Sequence, residues 1–369
     1  MLAVGMGRGA VQLVDVSKGM VRWGVSLNSA VRTVAMSPDG RFVASVGESE
    51  ENWTLWDARS GGVSMTGARH DGSGACTCTM SAGRFKSLDG ACPVQAHTSG
   101  LLALAFSPCG QRLATGGKDS AVILWDARTG KAERVLQGRN SFPETSSVCS
   151  ISISADGARV ASAGYDTLIR VWDAITGAAL VTMRGIRDER FLSWVHFSPS
   201  DGRRLATLIT RVYAPATECV QQWNIDSGPL QQFIEGRTFA VFSPDGLTIA
   251  TAGASGSHDV LLVDAETGAV RLTLHGHLQN VYTASWNLEG SKLASGCFNG
   301  ACKVWDTSTG ALLNTIELGR WICTVSWTRD WLRDAKCVAF SMGLHPRLGA
   351  GSEVLALDEG LLPMILDRL

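Results

Sequence analysis

No stretch of this sequence approaches the roughly 20 uninterrupted apolar residues that a membrane-spanning helix needs. The opening "MLAVGMGRGAVQLVDV" has neither a basic leader nor a signal-like apolar block. Charge of one sign is lacking too: 33 basic residues stand against 34 acidic ones, for a formal net charge of -1. Such a balance exerts no pull toward nucleic acid or an anionic membrane, and no basic stripe breaks it. Tyrosine is scarce, at three residues. Long helical periodicity is missing throughout. The ten cysteines are not arranged as a disulfide framework. Cys149, Cys219, Cys297, Cys302, Cys323 and Cys337 sit in strand-like runs, as free thiols in a reducing compartment would. The expectation from these features is an intracellular chain, cytoplasmic in preference to nuclear, with Asn52-Trp53-Thr54 a chance sequon.

What the chain does have is repetition. "GKDSAVILWDARTGK" (117–131) ends an apolar run on a Trp-Asp pair, and the pair returns at Trp56-Asp57, Trp172-Asp173 and Trp305-Asp306. Degenerate copies are Val14-Asp15, Trp223-Asn224, Val263-Asp264 and, more loosely, Leu357-Asp358. Successive copies lie 42, 69, 47, 51, 40, 42 and 52 residues apart. Periods of about 40 to 45 residues point to propeller blades, and the long interval to an insertion, read as a flexible segment over 64–96. A second element keeps step: "VRTVAMSPDG", "LLALAFSPCG", "VCSISISADG", "SWVHFSPSDG" and "FAVFSPDG", each an apolar strand closed by a turn. Glycine accepts the positive φ of such turns and proline presets its own. Strand, turn and strand at this density predict an all-β fold. One four-stranded sheet cannot bury both faces, so the sheets must stack on one another.

On these residues the chain resembles the WD-repeat β-propellers over nearly its whole length (1–369), as a single domain. The resemblance implies antiparallel four-stranded blades. Eight third-strand ends against seven clear innermost strands predict eight blades, the first lacking its inner strand, with a seven-bladed ring as the alternative. An internal start at Met1 in a longer natural protein is a further reading. The resemblance also implies a buried network of His, Ser or Thr, Asp and Trp within a blade. His97, Thr115, Asp119 and Trp125 match it, and His277, Ser295, Asn299 and Trp305 repeat the same intervals of 18, 4 and 6 with Asn for Asp. Ser162, Asp166 and Trp172 form a copy without the His. The blades of Trp56, Trp223 and Val263 lack a full set and are expected to rest on apolar packing.

A recurring Ser, His and Asp set is not a nucleophile's, which would occur once, and no G-x-S-x-G elbow is present. His70, Cys76, Cys78 and Cys92 in the insertion could offer three thiolates and an imidazole, but C-x-C is a poor match to zinc-binding spacing. Gly5, Gly7 and Ala10 satisfy G-x-G-x-x-A, yet "VQLVDV" follows where a dinucleotide site needs a helix. No catalytic residue, metal or cofactor is therefore assigned. The resemblance implies a partner face at the loops entering the innermost strands. Carried over by position, its exposed sites are Arg32, Leu102, Phe191, Tyr282 and Trp321, with Lys118, Tyr165 and Phe298 just before the network position. The expected function is a non-catalytic scaffold binding a peptide or protein, as a monomeric subunit of a larger assembly. The alternative is a sensor or targeting module of a longer regulatory protein.

Overall fold

The computed structural model describes residues 1–7, 9–27, 29–47, 53–66, 79–80, 83–84, 97, 99–137, 147–184, 190–211, 219–235, 237–253 and 257–327. Every regular element among them is a β-strand. The strands form seven antiparallel sheets, six of them built from consecutive strands and one from both ends of the described chain.

Blade 1 comprises Val31–Met36, Phe42–Gly47, Trp53–Asp57 and Val63–Thr66. Blade 2 comprises Leu101–Phe106, Arg112–Gly117, Ala121–Asp126 and Ala132–Gln137. Blade 3 comprises Val148–Ile153, Arg159–Gly164, Leu168–Asp173 and Ala179–Arg184. Blade 4 comprises Arg190–Phe197, Arg204–Arg211, Cys219–Asn224 and Gly228–Glu235. Blade 5 comprises Arg237–Phe242, Thr248–Ala252, Val260–Asp264 and Val270–Leu274. Blade 6 comprises Val281–Trp286, Lys292–Cys297, Ala301–Asp306 and Leu312–Glu317. Each innermost strand packs against that of the next blade, in a closed cycle.

Blade 7 corrects the expectation of eight blades. Its second, third and fourth strands are Leu2–Met6, Ala10–Asp15 and Met20–Ser26, from the start of the chain. Its innermost strand is Ile322–Trp327, which pairs antiparallel with the first strand from Leu2↔Trp327 to Met6↔Ile322. The inner strand that the first repeat lacks is supplied from the other end of the chain, so the two incomplete repeats make one blade. The eighth Trp-Asp-like end, Leu357-Asp358, lies outside the described residues. The insertion falls between blades 1 and 2. Of it, Val63–Thr66 ends in blade 1, and the short pair Thr79–Met80 and Gly83–Arg84 adds two strands to that sheet's outer edge.

The turn after each innermost strand explains the Ser-Pro-Asp-Gly signature. The Ser37 hydroxyl accepts from Phe42 N at 2.9 Å, and Ser107, Ser154 and Ser243 do the same for Arg112, Arg159 and Thr248. Gly40 closes the turn at φ 71°, where a side chain would strain the backbone. The Asp of each Trp-Asp pair caps the next turn. Asp306 accepts from Ser308 and Thr309, hydroxyls and backbone alike. The Ser308 hydroxyl, followed by the Thr309 amide, holds the Asp306 carboxyl down at about 2.

Apolar faces of consecutive sheets interleave into seven clusters, one per seam. Hydroxyl groups stitch several seams near the axis. Ser150 and Ser152 accept from Val195 N and Phe197 N of the next blade at 3.0 Å each. Thr283 and Ser285 accept from Val325 N and Trp327 N, and Ser326 accepts from Met36 N. At the seam of blades 4 and 5 the equivalent side chains are Trp194 and His196, and Gln222 occupies a row that is aliphatic in the other blades. There Trp194 Nε1, His196 Nδ1 and Gln222 Oε1 are buried without a partner among the described residues. Burial pushes the His196 imidazole down to about 4.

Candidate functional site

The upper face is the one at which the chain enters the innermost strands; the turns between second and third strands lie beside those crossings. The four-residue network sits just beneath it. In blade 2, His97 Nδ1 lies 2.9 and 3.0 Å from the Asp119 carboxylate oxygens, and His97 Nε2 lies 2.9 Å from Thr115 Oγ1. Trp125 Nε1 donates to the same hydroxyl at 2.7 Å. His97, Thr115 and Trp125 are buried, so His97 is fastened to the second and third strands of blade 2 and to the turn between them through satisfied polar groups.

Blade 6 keeps half of this arrangement. His277 Nε2 lies 2.6 Å from Ser295 Oγ, and Trp305 Nε1 donates to Ser295 at 2.8 Å. Asn299 does not reach the imidazole. Its Oδ1 accepts from Ala301 N at 3.2 Å and from Cys297 Sγ at 2.6 Å, leaving His277 Nδ1 buried without a partner among the described residues. Burial, with Lys303 adding to it, pushes His277 down to about 4. In blade 3, Trp172 Nε1 donates to Ser162 at 3.3 Å, and Asp166 pairs with Arg170 at 2.7 Å in place of a His.

Two further blades hold Trp-hydroxyl bonds that sequence spacing missed: Trp56 to Ser45 and Trp223 to Thr207, both at 2.8 Å. These partners stand 11 and 16 residues apart instead of 10, because the intervening turns differ in length. The hydroxyl opposite the innermost strand was the available signal. Where Val263 replaces the Trp, Thr251 turns to Phe239 O at 2.8 Å, and in blade 7 both positions are valines, Val4 and Val14.

The eight positions proposed for a partner are distributed unevenly. Tyr282, Phe298 and Trp321 come together, with ring centroids 5.4 Å apart for Tyr282–Trp321, 5.5 Å for Phe298–Trp321 and 6.3 Å for Tyr282–Phe298. Phe298 is 51% exposed and Trp321 39%. Trp321 lies over Gly7, where an added Cβ would stand 2.7 Å from the indole, and its carbonyl accepts from Gly7 N at 2.9 Å. Tyr165 stands apart on blade 3, exposed beside Cys149, while Arg32 and Lys118 are exposed on blades 1 and 2. Leu102 is a correction: it is buried, at the step where the pairing of Leu101–Phe106 with Arg112–Gly117 shifts register between Leu101 and Ala103. Phe191 is placed in the innermost strand of blade 4, but its side chain lies outside the described residues.

His70, Cys76, Cys78 and Cys92 lie outside the described residues. Among the described residues no group of three or more His, Cys, Asp or Glu is placed to hold a metal ion. Gly5, Gly7 and Ala10 belong to two paired strands and their turn, which presents no helix N-terminus to a pyrophosphate.

The family model "WD domain, G-beta repeat" matches residues 91–126, 131–173 and 268–306, the three segments that contain the networks of blades 2, 3 and 6. These three segments are WD repeats. The chain is similar to WD repeat-containing protein 1 of Xenopus tropicalis, at 32% identity over 98 residues. That match covers 25% of this chain and 16% of the relative. Protein groucho of Drosophila melanogaster is 28% identical over 148 residues, 34% of this chain and 20% of groucho. The THO complex subunit 6 homolog of Danio rerio is 26% identical over 88 residues, 21% of this chain and 27% of the relative. The chain thus matches only a small part of each relative's length. None of these three names denotes an enzyme.

Proposed function

We propose that this WD-repeat chain is a non-catalytic scaffold that holds a protein or peptide segment on its upper face. The observation that carries the reading is the Tyr282–Phe298–Trp321 cluster, in which half-buried Tyr282 of the innermost strand of blade 6 supports exposed Phe298 and Trp321. Large aromatics on a fixed backbone are the usual anchors of binding hot spots. The buried polar residues beneath serve the blades: Ser295 and Thr115 are each engaged by a Trp and a His, which leaves neither poised as a nucleophile. One relative's name, a THO complex subunit 6 homolog, is that of a subunit of a complex, which supports membership in an assembly.

The test is affinity capture from a native lysate with the intact chain and with a Tyr282, Phe298 and Trp321 triple alanine variant whose fold is verified by circular dichroism. Specific partners that are captured by the first bait and lost with the second support the reading. Identical captures by both baits contradict the choice of face, and an empty capture contradicts the scaffold.

A further inference from the structure

The charges around the aromatic cluster specify what kind of segment suits it; this rests on the scaffold reading above. From blade 6 round to blade 3, the upper face carries Phe298 and Tyr282, then Arg320 beside Trp321, then Arg32, Lys118 and Tyr165. Arg320, Arg32 and Lys118 are exposed, and none has an ion-pair partner among the described residues. Among the described residues, three carboxylates on this face are in contrast engaged. Asp119 is held by His97, Asp166 by Arg170 at 2.7 Å, and Asp259 by His275 at 3.0 Å. Glu317, on the outermost strand of blade 6, is the exception. Arg32 lies close enough to Cys149 and Tyr165 to act electrostatically on both, so its charge reaches from blade 1 toward blade 3.

Three clustered ring faces could in principle hold an ammonium group. Arg320, adjacent in sequence to Trp321, opposes that choice, because a second cation would meet a like charge beside the rings. An apolar side chain on the rings, with carboxylates beside it, meets both features. We propose that the arc binds an extended acidic segment of a partner protein, seating an apolar or aromatic side chain on Tyr282, Phe298 and Trp321 and its carboxylates over Arg320, Arg32 and Lys118. The Gly7 contact holds Trp321 in place before binding, so little side-chain freedom is lost on association.

The experiment is a selection of phage-displayed random peptides on the full chain, followed by titration of the enriched peptides. The expected result is enrichment of Asp and Glu around Leu, Phe or Trp. Affinity should fall about tenfold or more with Trp321→Ala and with Arg320→Glu, and should weaken as salt rises. Arg320→Glu alters only an exposed side chain, so it serves if Trp321→Ala perturbs the fold. Enrichment of basic peptides would overturn the proposal and give the face's net charge to Glu48, Glu50 and Glu51, which the sequence places between the second and third strands of blade 1. Acidic peptides indifferent to both substitutions would also overturn it. Either result leaves the scaffold reading standing, whereas the lysate capture tests that reading independently. A selection that enriches nothing overturns the proposal.

Discussion

Beyond a Ser-for-Thr exchange, the network of blade 6 departs from that of blade 2 at Cys297 and Asn299, and restoring both should rebuild it. Gly117 of blade 2 and Cys297 of blade 6 occupy the same register, opposite Leu101 and Val281. A Cβ on Gly117 would stand 2.7 Å from both Asp119 Oδ1 and His97 Nδ1, so that pair closes only over a glycine. In blade 6 the Cys297 thiol fills this space and takes the Asn299 oxygen. The backbone is otherwise ready. Asn299 Oδ1 accepts from Ala301 N at 3.2 Å, as Asp119 Oδ1 does from Ala121 N. Cys297→Gly alone should destabilise by roughly 0.5–1 kcal/mol through added chain entropy, and more for the lost thiol packing. Asn299→Asp alone should change little, because the thiol still blocks the imidazole. Together they supply a carboxylate to a buried Nδ1 that now has no partner among the described residues, a hydrogen bond to a charged group worth about 1.5–3 kcal/mol. The double-mutant cycle should therefore show a favourable coupling of about 2 kcal/mol. Urea unfolding of the four proteins measures it, with amide exchange at Ser295 and Ala301 locating the effect in blade 6. Additivity within about 0.5 kcal/mol would refute the steric reasoning.

Other consequences can be checked on the same preparations. Ser285→Ala leaves Trp327 N without its acceptor at the seam of blades 6 and 7, which should cost about 1–3 kcal/mol and speed exchange of that amide. Ala3→Pro removes a backbone donor from a strand that pairs on both sides and should open the closing blade, seen as an increased radius in small-angle scattering. His196 and His277 are both pushed down to about 4, from about 6.5 in an unfolded chain. The unfolded state then binds more protons between those values, so stability should be flat above about pH 6.5 and fall as pH drops toward 4. Replacing His196 with Phe should flatten that decline in urea midpoints measured against pH.

The repeat and its strands were readable because each depends on local chemistry. Ser37 caps its own turn within five residues, and Asp306 caps the turn immediately after it. Closure was not readable in the same way. The pairing of Leu2–Met6 with Ile322–Trp327 joins strands from opposite ends of the chain, and nothing in either strand's apolar pattern names its partner. Counting Trp-Asp ends therefore gave one blade too many. The four-residue sets of blades 2 and 6 share one spacing, whereas Ser45 and Thr207 fall outside it because loop lengths vary. Serines such as Ser150 and Ser152 look like the polar side of a strand, and only the neighbouring blade reveals their acceptor role. The resemblance, carried over by position relative to the turns, pointed to Tyr282, Phe298 and Trp321 individually. Their mutual contact follows from the ring, which brings the loop before blade 7 beside blade 6.

The central claim is that partners meet the upper face at the aromatic cluster. It is tested most directly by placing a photo-crosslinking amino acid at Phe298, and separately at Leu288, an equally exposed site on the lower turn of the same blade. Irradiation in cells should join a protein partner to position 298 and not to 288. Crosslinks at 288 with none at 298 would contradict the account.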